Sequence, residues 1–367
     1  MKVKYLNLPA QFDVEAILGD IREELKSCRF ILGPQVQEFE SDFAKLCKTS
    51  YALGLNSGTD ALFLAIKAVD IGPGDEVITV PNSFIATAAV IAAAGAKPVF
   101  VDVDEEYNMD ANLIERAITP RTKAILPVHL TGNPADMPKI MSIAKRHKLF
   151  VIEDACQSVG ATIDNKPTGS FGDFGCFSLH PLKNLNVWGD GGVITTNSKE
   201  FYEKLILLRN HGLKNRNEVE FLAFNSRLDT IQAIVAKRVM KKLDSVTEKR
   251  IENARKYNER LAGISEFVST PTKKKNVKHV FHVYVIRAKR RDELATYLEK
   301  NGVETKIHYP IPIHLQKGCH YLGYKLGDFP VCEAQSKEIL SLPVHQHLTD
   351  NEINYVVDKI KEFDDKK

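Results

Sequence analysis

The chain has 367 residues, 44% of them hydrophobic and 26% charged, an ordinary globular composition that excludes collagen-like and disordered classes. It is long enough for one large domain and a smaller one. Lys and Arg total 50 against 47 Asp and Glu, a net charge of +3, so nothing marks nucleic acid or an anionic membrane as the main partner.

The opening MKVKYLNLPAQFDVEAILGD lacks a continuous apolar core and a small-residue cleavage site, and no signal peptide is expected. The most apolar stretch, 86–94, is far too short to span a bilayer. Six cysteines, at 28, 47, 156, 176, 319 and 332, form no CxxC pair; a reducing cytoplasm fits them better than a disulfide framework.

Apolar runs rich in Val, Ile and Phe then recur: DEVITV, KPVFVDV, KAILPVHL, LFVIEDA, FGCFSLH and GGVITTN. Continuous rather than alternating, they predict strands buried on both faces, as in a parallel sheet covered by helices. Capped helical patterns lie between them. Ser57-Gly58-Thr59 precedes DALFLAIKAV, Asp136 opens DMPKIMSIAKRHK, and Asn197-Ser198 opens KEFYEKLILLRNHG. Strands alternating with helices predict an α/β domain over about residues 10–240.

A charged helical stretch over about 228–261 reads as the bridge out of that domain, followed by a basic cluster, 273–275, expected in a solvated loop. HVFHVYVIRA predicts a strand, 292–301 a helix, HYPIPIHLQKGCHYLGY a loop, and TDNEINYVVDKIKEF a helix capped by Thr349 or Asp350. The expected division is residues 1–245, large and α/β, and 246–367, smaller and α+β.

Three stretches could carry chemistry. In NSGTDAL, a glycine between hydroxyl residues at a helix start offers free N–H groups to a phosphate, though an ordinary N-cap needs the same residues. LFVIEDACQSVGA ends a strand on Glu153-Asp154, where open α/β sheets hold ligands; a plain helix cap would also place an acid there. CFSLHPLKNLNVWGDGGVI carries Lys183 among rigid flanks, Pro181, Trp188 and a glycine run. A lysine that forms a Schiff base must be desolvated enough to supply a free amine. In this order, a phosphate cradle, a strand-end carboxylate and a later lysine are what pyridoxal phosphate requires.

The chain resembles the DegT/DnrJ/EryC1/StrS sugar aminotransferases, within fold type I of the pyridoxal-phosphate enzymes. The likeness runs through ILGPQVQEFESDFA, SGTDAL, GDEVITVPNSFIATA, VIEDACQSVGA, GSFGDFGCFSLHPLKN, GDGG, NSRLDTIQA and HYPIPIHLQ. It implies an α/β fold with a mostly parallel sheet and a smaller C-terminal α+β domain. It implies that Lys183 forms the Schiff base with pyridoxal 5'-phosphate and that Asp154 partners the pyridine nitrogen. Gln157 would bond the ring hydroxyl, Phe84 stack on the ring, and Gly58, Thr59 and Ser178 hold the phosphate. Asn225 would complete the partner subunit's phosphate site, making the protein a homodimer with shared active sites. His308, Tyr309 and His314 would face the substrate, although a purely structural Pro/His loop accounts for them equally.

The implied activity moves an amino group from an amino acid, L-glutamate by resemblance, to a keto group of a nucleotide-linked deoxy sugar. A keto-cyclitol or a small phosphorylated ketone as acceptor, and a non-catalytic cofactor-binding regulator, remain alternatives. A zinc set of His308, His314, Cys319 and His320 lacks the usual ligand-pair spacing, so no metal is expected. The family often has Gly-Glu-Gly-Gly after the lysine; the Gly-Asp-Gly-Gly of this chain at 189–192 resembles instead the members that aminate C-3 of the sugar. The reasons for His180, Pro181 and Trp188 are not legible in the sequence.

Overall fold

Seven strands form the central sheet of the computed structural model, which describes residues 1–272 and 274–365. In chain order they are β1 (Tyr51–Leu55), β2 (Glu76–Thr79), β3 (Lys97–Phe100), β4 (Thr122–Ile125), β5 (Phe150–Asp154), β6 (Phe174–Ser178) and β7 (Gly192–Thr196). Their spatial order is β1-β7-β6-β5-β4-β2-β3. The run from β3 to β6 is parallel, while β7 is antiparallel to both β6 and β1. The continuous apolar runs are therefore strands of a mostly parallel sheet. The chain leaves β6 and returns in β7 without a crossover helix, so the two strands must run in opposite directions.

Helices cover both faces. Pro34–Cys47 and Thr230–Met240 pack with Phe177 and Val193 on one side, and Gly58–Ala68 and Lys199–Arg209 pack with Ile152 and Phe174 on the other. The capping residues read from sequence work as expected: the side chains of Ser57, Asp136 and Ser198 accept the N–H groups of Asp60, Lys139 and Phe201. The charged stretch expected as one helix is two, Thr230–Met240 and Leu243–Leu261. The second carries Tyr257 and Leu261 into a separate core.

That core lies under a three-stranded antiparallel sheet, Val268–Ser269, Tyr284–Ala288 and Ile339–Leu342, backed by Arg291–Lys300 and Asp350–Asp364. Tyr257 stacks on Tyr284 at 5.0 Å. Val3 is buried in the same core and bridges to Val303, so the first residues of the chain are tied to its C-terminal part. Thr349 is the cap of the last helix, in a reciprocal pair with Glu352. HVFHVYVIRA forms a strand only from Tyr284; the stretch before it is irregular and bonds through Val280 and Val283 to the carbonyls of Gly132 and Thr131. Of the basic cluster at 273–275, Lys273 lies outside the described residues, and Lys274 pairs with Glu106. No helix among the described residues is long and apolar enough to cross a membrane.

Candidate active site

A cleft of about 480 Å³ opens at the carboxyl ends of the parallel strands, walled on its far side by residues of the C-terminal part. This is where an open α/β sheet leaves room for a ligand.

Two neighbouring acids end β5, and strand alternation sends them to opposite faces. Glu153 points into the protein, where the N–H groups of Gly169, Phe171 and Gly172 and the His129 ring hold it. Because Nδ1 of His129 accepts the Ala135 N–H, its Nε2 donates to Glu153. Asp154 points to the cleft. One of its oxygens accepts the Thr87 hydroxyl at 2.8 Å, the other the Cys156 N–H at 3.2 Å, and Thr87 is joined in turn to Ser83 at 2.7 Å.

The helix Gly58–Ala68 aims its N-terminus at the same cleft. Its first capped donor is the Asp60 N–H, held by Ser57 Oγ at 3.0 Å, so the N–H groups of Gly58 and Thr59 lie ahead of the helix bonds and suit an anion. A side chain at Gly58 would meet Ser178 Cβ at 2.7 Å, and one at Gly192 would meet the Ser57 carbonyl at 2.2 Å. Only glycines let the helix end, β6 and β7 approach this closely. Thr59 is exposed and Ser178 half-buried, and both line the cleft.

Lys183 stands on the loop between β6 and β7. Its backbone N–H closes a turn on the His180 carbonyl at 2.9 Å, while its amine has no hydrogen-bond or ion-pair partner among the described residues. Burial pulls its proton affinity below that of an ordinary lysine, and the neighbouring Cys156 and Asp154 oppose the shift. The loop is fixed by inward packing: Leu185 and Val187 are fully buried, and Asn184 donates to the Val280 carbonyl at 3.2 Å. Trp188 packs edge-on against Phe12 at 5.8 Å, and Pro181 accepts from Asn186 at 2.5 Å. Both anchor the loop, whereas His180 faces the cleft.

The opposite wall comprises Tyr5, His282, Val283, His308 and Tyr309. His308 bonds Ser341 at 2.9 Å, and burial, helped by the charges of Lys183 and Lys306, pushes its pKa down to about 4. Gln157 receives the Thr131 N–H on its Oε1 at 2.8 Å, which turns its Nε2 toward Tyr309. Phe84 is exposed at the cleft, 6.1 Å from the Tyr309 ring.

Two residues singled out from sequence stand elsewhere. His314 is fully buried against Phe329 and bonded to Glu333 at 3.0 Å, so it does not face the cleft. Six residues after His308, the chain has turned back into the core. Asn225 is exposed, paired with Asn210, and absent from the cleft lining of its own chain. Sequence reasoning did not single out Thr87, His282 or Tyr5, which are brought to the cleft by the fold, nor Cys156, two residues beyond Asp154; Asp190, noted only as part of Gly-Asp-Gly-Gly, also lines the cleft. Among the described residues, no three His, Cys, Asp or Glu side chains are grouped to hold a metal ion.

The donor set fits the cofactor inferred from sequence: open N–H groups for a phosphate, a buried carboxylate for a ring nitrogen, and an unpartnered, desolvated amine for an aldehyde. The model of the DegT/DnrJ/EryC1/StrS aminotransferase family matches residues 12–361. A pleiotropic regulatory protein of Geobacillus stearothermophilus is 44% identical, with 99% of each chain covered. A UDP-N-acetyl-3-dehydro-alpha-D-glucosamine 3-aminotransferase of Acidithiobacillus ferrooxidans is 43% identical, over 95% of this chain and 93% of that one. The crystal structure of Streptomyces venezuelae DesV in complex with a ketimine intermediate superposes with a TM-score of 0.96 at 39% identity, covering 99% of this chain and 98% of that one.

Proposed function

Since the chain belongs to the DegT/DnrJ/EryC1/StrS aminotransferase family, we propose that it moves an amino group from L-glutamate to the keto group of a nucleotide-linked deoxy sugar. It is a pyridoxal-phosphate-dependent aminotransferase. The observation that carries the reading is the meeting, in one cleft, of an unpartnered Lys183 amine, the Asp154 carboxylate and the open helix end at Gly58. Relatives named as transaminases of dTDP- and UDP-linked amino sugars support this acceptor class.

When bound, pyridoxal phosphate supplies an electron sink for charge that develops on the substrate carbon bearing the nitrogen. Asp154 keeps a proton on the ring nitrogen, oriented by Thr87 and the Cys156 N–H. Lys183 would hold the aldehyde and, once free, its amine would serve as the base and acid that moves a proton at the substrate carbon bearing the nitrogen. Gly58, Thr59 and Ser178 would hold the phosphate, Gln157 the ring hydroxyl, and Phe84 would stack on the ring. His308 and Tyr309, at the opposite wall, contact the substrate.

Asn225 acts in the partner's site, which makes the functional unit a homodimer. Support comes from the exposed apolar side chains of Ile31, Val219, Leu222 and Phe224, the last two on the loop that carries Asn225; Leu222 is 95% exposed. We take residues 1–245 as the cofactor-binding unit, 246–367 as the smaller one, and the cytoplasm, consistent with six free cysteines, as the compartment. The test is spectroscopic: the yellow holoenzyme should lose its colour on mixing with L-glutamate and regain it with a nucleotide-linked keto sugar. No response to any amino donor would favour a regulator without turnover.

A further inference from the structure

His180 and Asp190 line the cleft on the same loop as Lys183, and the roles proposed above use neither. Nδ1 of His180 accepts the Leu182 N–H at 3.3 Å, and its backbone N–H donates to Ser178 Oγ at 3.3 Å. A neutral imidazole whose Nδ1 accepts carries its proton on Nε2. Burial and the Lys183 charge both depress the ring's proton affinity, against the opposing pull of Asp190. The ring therefore offers the cleft one N–H donor.

Asp190 offers the complementary acceptor. It is exposed, and among the described residues its carboxylate has no hydrogen bond or ion pair. The turn that carries it is pinned on both sides. Gly189 has a φ of +152°, Gly191 accepts the Leu179 N–H at 2.8 Å, and Gly192 lies where no side chain fits against Ser57. The carboxylate is thus held at the cleft with its hydrogen-bonding capacity unused.

Resting on the aminotransferase reading, we propose that Asp190 and His180 together recognise a hydroxyl or acylamino group on the sugar carbon beside the keto group. Asp190 accepts the group's proton, and His180 Nε2–H donates to its oxygen. Two facts choose this part of the substrate. A nucleoside diphosphate has the same sign of charge as Asp190 and must lie away from it. Lys183 works at the reacting carbon, and a 2.9 Å hydrogen bond ties its backbone to that of His180, which keeps His180 near the reacting end of the sugar, while Asp190 lines the same cleft on the same loop. A site built to bond such a group rejects the analogue that lacks it, because its own polar groups are left unpaired.

The test compares two dTDP-linked 3-keto-6-deoxyhexoses, one with a hydroxyl on the carbon next to the keto group and one without. The wild-type holoenzyme should prefer the first in kcat/KM by about 50-fold, and Asp190→Ala should reduce the preference to about 3-fold or less. His180→Phe should lower it part of the way, and His180→Gln, which keeps a donor, should restore most of it. Calorimetric titration with the aminated dTDP-sugar should show weaker binding to Asp190→Ala by a comparable factor. The glutamate-driven colour change, read alone, separates specificity from chemistry. A wild-type enzyme that bleaches with glutamate yet does not distinguish the two sugars, or an Asp190→Ala variant that keeps the full preference, overturns the proposal. So does an equal fall of bleaching rate and sugar kcat/KM in that variant, which would assign Asp190 to the amine. Failure of the wild-type enzyme to bleach with any amino donor refutes the aminotransferase reading itself.

Discussion

The two walls of the cleft are built differently. On the sheet side, Asp154, Ser178, Gly58 and Lys183 sit at or just beyond strand and helix ends, where the topology fixes their direction. On the C-terminal side, His308, Tyr309 and His282 come from irregular stretches whose aim depends on long-range bonds, to Ser341 and to the carbonyls of residues 131 and 132. Chemistry that needs a fixed geometry occupies the first wall; the second suits a substrate that changes between the two halves of the reaction.

Perturbing each wall should separate these roles. The largest effect is expected at Asp154: Asp154→Asn should still bind cofactor but lose turnover by on the order of a thousand-fold, as measured in both half-reactions. Near-normal activity would remove its assigned role. Thr87→Val, which takes away the hydroxyl that orients Asp154 at 2.8 Å, should slow both half-reactions about tenfold. The two histidines of HYPIPIHLQ should part company. His314→Ala should cost about 2 kcal/mol of stability by denaturant unfolding, since it leaves Glu333 without its ring partner, with little change in KM. His308→Phe should mainly raise KM for the sugar.

The smallest effect concerns the apo protein. Burial lowers the Lys183 pKa from its unfolded value, so the folded state disfavours the ammonium. The resulting destabilisation is fully present below the folded pKa and fades as pH rises through the unfolded value. Lys183→Met should therefore stabilise the apoprotein by about 1 kcal/mol at neutral pH, with the gain shrinking in alkaline solution. A pH-independent gain would contradict the origin of the shift.

The same contrast governs what the sequence discloses. LFVIEDACQ and SGTDAL are legible because a strand end and a helix cap are local features whose residues declare their direction. Thr87 was missed because its partner lies 67 residues away. His308 and His314 look alike in HYPIPIHLQ, and only the packing of the second against Phe329 and Glu333 tells them apart. Trp188 proves to be a loop anchor on Phe12, a contact across 176 residues that no periodicity announces.

The central claim is that Lys183 tethers the cofactor. Borohydride reduction of the holoenzyme followed by peptide mass spectrometry tests it directly. The account expects the reduced cofactor on Lys183 alone, and a colourless Lys183→Ala protein. A label on another lysine, or undiminished colour in that variant, would contradict it.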